Sequence, residues 1–152
     1  MDHPNPFQAP AAELLAHKSA DQNLSLYSIA AIALSTFIGT SVAGAYFISQ
    51  NLKALGRESE VNKAWAMGIG LFIAMNVLGF LLPDSIPAVI FVLPPIYGMN
   101  AYARQLFGPQ VKEHKTGNGR FISLWQVAGV SLLFFLGMTI VVVSLVLMIG
   151  VE

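Results

Sequence analysis

Four long apolar runs follow one another with only short polar connections between them, over about 25–54, 60–82, 86–107 and 121–150. Each is near the ~20 residues that an α-helix needs to cross about 30 Å of hydrocarbon. A soluble domain of 152 residues could not hide a sequence that is 55% hydrophobic and only 11% charged inside one core. The pattern predicts an all-α fold: a polytopic transmembrane bundle of four helices, forming one domain over 24–152. The first 23 residues, MDHPNPFQAPAAELLAHKSADQN, lack the basic opening and continuous apolar centre of a cleaved signal peptide and are expected to remain as an extramembrane tail.

The charges predict a topology. Seven of the 8 lysines and arginines flank the first and third connections, whereas the second, LPDSIP, carries only Asp84. The positive-inside rule then places connections one and three in the cytoplasm and both termini outside it. Trp65 and Trp125 fall near the cytoplasmic ends of spans two and four, where interfacial aromatic belts sit. Net charge is zero and the basic residues form no stripe, which argues against nucleic acid as a partner.

Much chemistry is pruned by composition. There is no cysteine, hence no disulfide framework and no thiol nucleophile. No ionisable side chain is expected inside the hydrocarbon region of any span, which counts against a proton-coupled carrier. His3, His17 and His114 stand in the tail and the third connection, where they cannot form a pair of axial haem ligands. No serine has a histidine or carboxylate at matching depth, so neither an enzyme activity nor a cofactor or metal is expected. The TGNGR stretch at Thr116–Arg120 lacks the spacing of a phosphate loop and reads as a flexible turn.

Two features inside the spans carry structural information. The adjacent Pro94 and Pro95 release the carbonyls of Ile90 and Phe91 from helical hydrogen bonding, which predicts that the third helix is broken there. A released carbonyl must meet protein or water, and Asn76 lies at a similar depth on the second span. Asn76 is therefore expected to face that break, with Ser35, Thr36, Thr40 and Thr139 as competing partners. Asn76, Pro94, Pro95, Tyr97 and Asn100 make up a candidate polar site. In the first span Ser35, Gly39 and Ala43, with Gly44 beside them, leave one side nearly free of bulk, the kind of face that lets helices approach closely in lipid.

Phe37, Gly39, Ala43, Gly44, Asn51, Leu55, Gly56 and Arg57 spell F-x-G-x3-A-G-x6-N-x3-L-G-R. This resembles a family of small bacterial inner-membrane proteins, without an assigned activity, in which a glycine-rich span runs into an N-x3-LGR turn; the opening NPFQAP is similar to theirs. The resemblance implies a bacterial inner-membrane setting and no catalytic residues. The expected function is that of a non-enzymatic integral membrane protein, an accessory or assembly factor acting through helix–helix packing with itself or another membrane protein in the bilayer. The alternative is a small oligomeric transporter or channel with its polar site at the broken third helix.

Overall fold

The computed structural model describes residues 24–83 and 85–150; the expected tail, Lys18 and Asp84 lie outside the described residues. The order of elements is β1 (Ser25–Leu26), α1 (Ile29–Ala54), a 3-10 turn at Glu58–Glu60, α2 (Val61–Leu81), α3 (Val89–Thr116), β2 (Arg120–Phe121) and α4 (Leu124–Ile149). Three helices are long and apolar enough to cross a membrane: Ile29–Ala54, Glu58–Leu81 and Leu124–Ile149. α3 is not among them, because its prolines and tyrosines and Asn100, Arg104 and Gln105 dilute its apolar character.

α1 does not use its length to cross. A straight helix of 26 residues would hold its ends about 39 Å apart. Instead, Asn51 near its end accepts a hydrogen bond from the backbone N–H of Tyr27 and donates one to the carbonyl of Tyr27, both at 2.8 Å. The reversal occurs at Gly39 (φ −111°, ψ 16°) and Thr40 (φ 72°, ψ 175°), the two residues of α1 outside helical dihedrals. Across this turn a Cβ on Gly44 would run into the Thr36 hydroxyl, and the rings of Tyr27 and Phe47 meet edge to face at 4.7 Å. α1 is thus a helical hairpin with arms of about 16 and 20 Å, and residues 25–54, expected as one crossing, enter and leave at the same end of the bundle.

That end is marked by several elements. β1 pairs in parallel with β2, Ser25 opposite Arg120 and Leu26 opposite Phe121, and the N–H of Ile122 donates to the Leu26 carbonyl at 3.0 Å. α2 starts there, and so does α4. Gly56, at φ 70°, turns the chain out of α1 in the left-handed conformation that glycine adopts without strain. Gly117 and Asn118 (φ 55°) close the expected TGNGR turn between α3 and β2. α2 leads away, α3 returns and α4 leads away again, so Leu24 and Gly150 lie at opposite ends. Four full-length helices running alternately up and down would have left these two residues at one end; the reversal inside α1 separates them.

α2, α3 and α4 each pack on the hairpin and only lightly on one another. Their buried residues recur every four positions along a single face: Ala64 and Gly68 on α2, Pro95, Met99, Ala103, Phe107 and Val111 on α3, Val127 and Ser131 on α4. Close approach is enforced by small residues. A Cβ on Gly39 would strike the backbone carbonyl of Ser131, and one on Gly68 would lie 2.7 Å from the Ser41 carbonyl. Ser131 and Gly68 each stand seven residues into their helices, so the hairpin tip reaches about 11 Å from the ends at which α2 and α4 begin. Gly39→Leu is therefore expected to destabilise the fold by about 1–3 kcal/mol through overpacking against immovable backbone. Gly70→Ala, where a Cβ meets open space, should leave stability unchanged or raise it by up to about 1 kcal/mol; thermal unfolding of the two variants in detergent checks both.

Candidate functional site

The expected packing face is assembled as a unit, but within the chain. Ser35, Gly39, Ala43 and Gly44 are all buried, lining the inside of the hairpin and its contact with α4. The hydroxyls in this region find acceptors close by. Ser35 and Thr36 both donate to the Ile32 carbonyl (2.8 and 2.9 Å), Ser131 to Val127 (2.6 Å), and Ser41 crosses to the Gly68 carbonyl on α2 (2.8 Å). Among the described residues no buried side-chain nitrogen or oxygen lacks a partner. The Thr40 hydroxyl accepts a long bond of 3.4 Å from the Val42 N–H, a weak cap on the returning arm.

The candidate polar site is not gathered around a break. α3 keeps helical dihedrals through Pro94 and Pro95, and its one departure is Phe107 (φ −145°, ψ 20°). The broken third helix is thus corrected in position. Pro94 and Pro95 stand in the second turn of α3, where they remove two hydrogen bonds without displacing a residue from the helix. Pro109 acts further along, taking the donor that Gln105 would have used and constraining Gly108. Asn76 does not reach across to α3: its amide donates to the Phe72 carbonyl of its own helix at 2.8 Å. Asn100 accepts from Arg104 at 2.7 Å, and Tyr97 is 70% exposed. Thr139, one of the competing partners, bonds to Phe135 on its own helix. No hydrogen bond among the described residues joins Asn76, Tyr97 and Asn100 to one another.

Two polar residues carry the architecture instead, and both belong to the sequence pattern around the LGR turn. Asn51 is fully buried and satisfies both backbone groups of Tyr27, so one amide side chain closes the mouth of the hairpin. Arg57 reaches α3, where its guanidinium donates to the carbonyl of Leu106, immediately before the Phe107 departure, while its other nitrogens hold both carboxylate oxygens of Glu60 at 2.7 and 2.8 Å. The hydrogen bond from Arg57 holds the Glu60 carboxyl below its ordinary range. The sequence pattern puts Asn51 and Arg57 in a turn motif without indicating their contacts; the signal is the polar Asn51 shortly before the capping glycine in an otherwise apolar helix end.

Comparison with family models, with curated proteins and with solved structures gave no match. The arrangement itself is a helical hairpin held by three longer helices, with polar fasteners at its mouth.

Asn51→Ala leaves two backbone groups of Tyr27 unpaired and is expected to cost about 2 kcal/mol, against less than about 0.5 kcal/mol for Asn76→Ala, which removes only a bond to an already paired carbonyl. Equilibrium unfolding of both variants in one detergent measures the contrast. Arg57→Ala should cost about 1–2 kcal/mol, since it uncovers the Leu106 carbonyl, and Glu60→Gln less. Because the folded state lowers the Glu60 pKa, its contribution is complete above the ordinary carboxylate range and is lost as pH falls through the lowered value. The small deficit of Glu60→Gln at pH 7 should therefore vanish in acid, while that of Arg57→Ala persists.

Proposed function

We propose that this chain is a non-enzymatic integral protein of the bacterial inner membrane that acts by association with other helices in the bilayer. The observation that carries the reading is the state of the outer halves of the crossing helices. Beyond the hairpin tip, α2 from Ile73, α3 before Pro95 and α4 from Leu132 leave large apolar side chains exposed, including Phe80, Leu81, Ile90, Leu133 and Leu136. Where the hairpin ends, the three helices lose the element that holds them together. A second copy or a partner helix supplies what is missing, by van der Waals packing of the kind that drives association in lipid.

A second reading, an oligomeric transporter or channel, is favoured by the hairpin itself. Non-helical backbone at membrane depth is tolerated where protein buries it or where it lines water. On this reading the polar site moves from the third helix to the tip at Gly39–Ser41.

The charges set the orientation. The described cations, Lys53, Arg57, Lys63, Arg104, Lys112, Lys115 and Arg120, all belong to segments at the hairpin-mouth end, so that end faces the cytoplasm. The chain has no cysteine, which makes single-cysteine labelling direct. Ser25→Cys and Asn118→Cys are expected to react from the cytoplasmic side and Ser85→Cys from the other; labelling of positions 25 and 85 from one side would overturn the hairpin topology. Thr40→Cys separates the two functional readings. Protection from a membrane-impermeant reagent, with cross-linking from Leu136→Cys to another chain, fits association; rapid modification of position 40 fits a water-lined path.

A further inference from the structure

A shallow groove of about 630 Å³ runs between the hairpin mouth and the first turns of α4, lined by Tyr27, Phe47, Gln126, Gly129, Val130 and Leu133. One wall is rigid: Tyr27 is held at both backbone groups by Asn51, and its ring packs on Phe47. The floor is open, because a Cβ on Gly129 would meet nothing within 4 Å. Leu133, 68% exposed, and Trp125, 87% exposed, place this stretch of α4 against lipid, with the indole at the interface. The groove is apolar apart from Gln126 and the Tyr27 hydroxyl and lies along the first turns of α4, which start at the end that carries the basic residues. There the described cations number seven against three acidic residues, Glu58, Glu60 and Glu113. Arg120, exposed in β2, is paired opposite Ser25, two residues before the groove-lining Tyr27.

We propose that this groove seats one acyl chain of an anionic phospholipid from the leaflet at the basic end, with its phosphate drawn to the cations there, Arg120 among them. Shape supplies the acyl site and charge selects the headgroup: a zwitterionic lipid fits the groove but gains little from the surrounding cations. The inference concerns a lipid ligand and stands whether or not the protein also associates with another chain.

The test titrates delipidated full-length protein in detergent with phosphatidylglycerol or phosphatidylcholine, scoring bound lipid by native mass spectrometry. Phosphatidylglycerol is expected to bind at least about tenfold more tightly, and Arg120→Gln to weaken it about fivefold, the effect of one cation near a lipid headgroup. Gly129→Leu, which fills the floor, should weaken both lipids while leaving the lipid-free melting temperature unchanged. Gly70→Leu, an equally open site on α2, should leave both affinities at wild-type values and shows that a bulky side chain on an exposed helix is harmless in itself. Equal affinity for the two lipids, or unchanged binding by Gly129→Leu, overturns the proposal. If Gly129→Leu fails to fold, Val130→Trp on the same wall replaces it under the same criterion.

Discussion

A backbone that turns round inside hydrocarbon must have its amides and carbonyls covered by protein, since no water is present to take them. That constraint organises this molecule. The reversal at Gly39 and Thr40 releases helical hydrogen bonds on both sides of the turn, and Thr40, a β-branched residue at positive φ, adds local strain. Such a turn persists only if its surroundings hold it. α2, α3 and α4 do so by packing on α1 far more than on one another, and the smallest side chains stand where they approach the tip. Gly39 against the Ser131 carbonyl and Gly68 against Ser41 bring main chain to main chain, which raises the number of dispersion contacts in a medium where apolar burial itself contributes little.

The mouth of the hairpin is governed by the opposite condition. On the proposed orientation it lies where water and phospholipid headgroups compete for every polar group, so loose ends there would fray. Asn51 resolves this by acting as a short piece of β-ladder, offering one donor and one acceptor to Tyr27. The two-residue pairing of β1 with β2 ties the entry of the hairpin to the entry of α4, and Arg57 ties its exit to α3. The residues at the mouth thus link the hairpin to two of its three supporting helices. Arg57 is suited to this because its planar guanidinium meets a carboxylate in a fork and still has a nitrogen left for a carbonyl.

An apolar chain built of long helices was legible in the sequence because hydrophobic length reports it directly, but α3 continues to Thr116, past residue 107, at which its apolar run ends. Ser35, Gly39, Ala43 and Gly44, whose small side chains stand out in the sequence, are buried within the chain. The reversal was not legible, because two antiparallel arms have the combined length and composition of one crossing, and a Gly-Thr-Ser stretch carries no strong turn signal beside the nearby glycines and serines. Two prolines in the second turn of α3 gave a louder signal than the single Pro109. Yet the departure falls at Phe107, two residues before Pro109 and next to the Leu106 carbonyl that Arg57 covers. Asn76 shows the same limit from the polar side, since an amide can be satisfied by its own helix four residues back, a choice that depth alone does not reveal.

Five of the eight positions of the pattern F-x-G-x3-A-G-x6-N-x3-L-G-R have physical tasks once the hairpin is recognised. Gly39 makes the turn and meets α4; Gly44 admits the Thr36 hydroxyl from the opposite arm; Asn51 closes the mouth; Gly56 reverses the chain; Arg57 secures α3. They build a plug that fills the inner part of a three-helix frame and leaves the outer part unfilled. An evenly packed bundle would place its association surfaces anywhere along its length, but here packing is concentrated at one end. On the proposed association, the other end, where Phe80, Leu81 and Ile90 are exposed, is the part that a neighbouring helix would complete without displacing anything already in place.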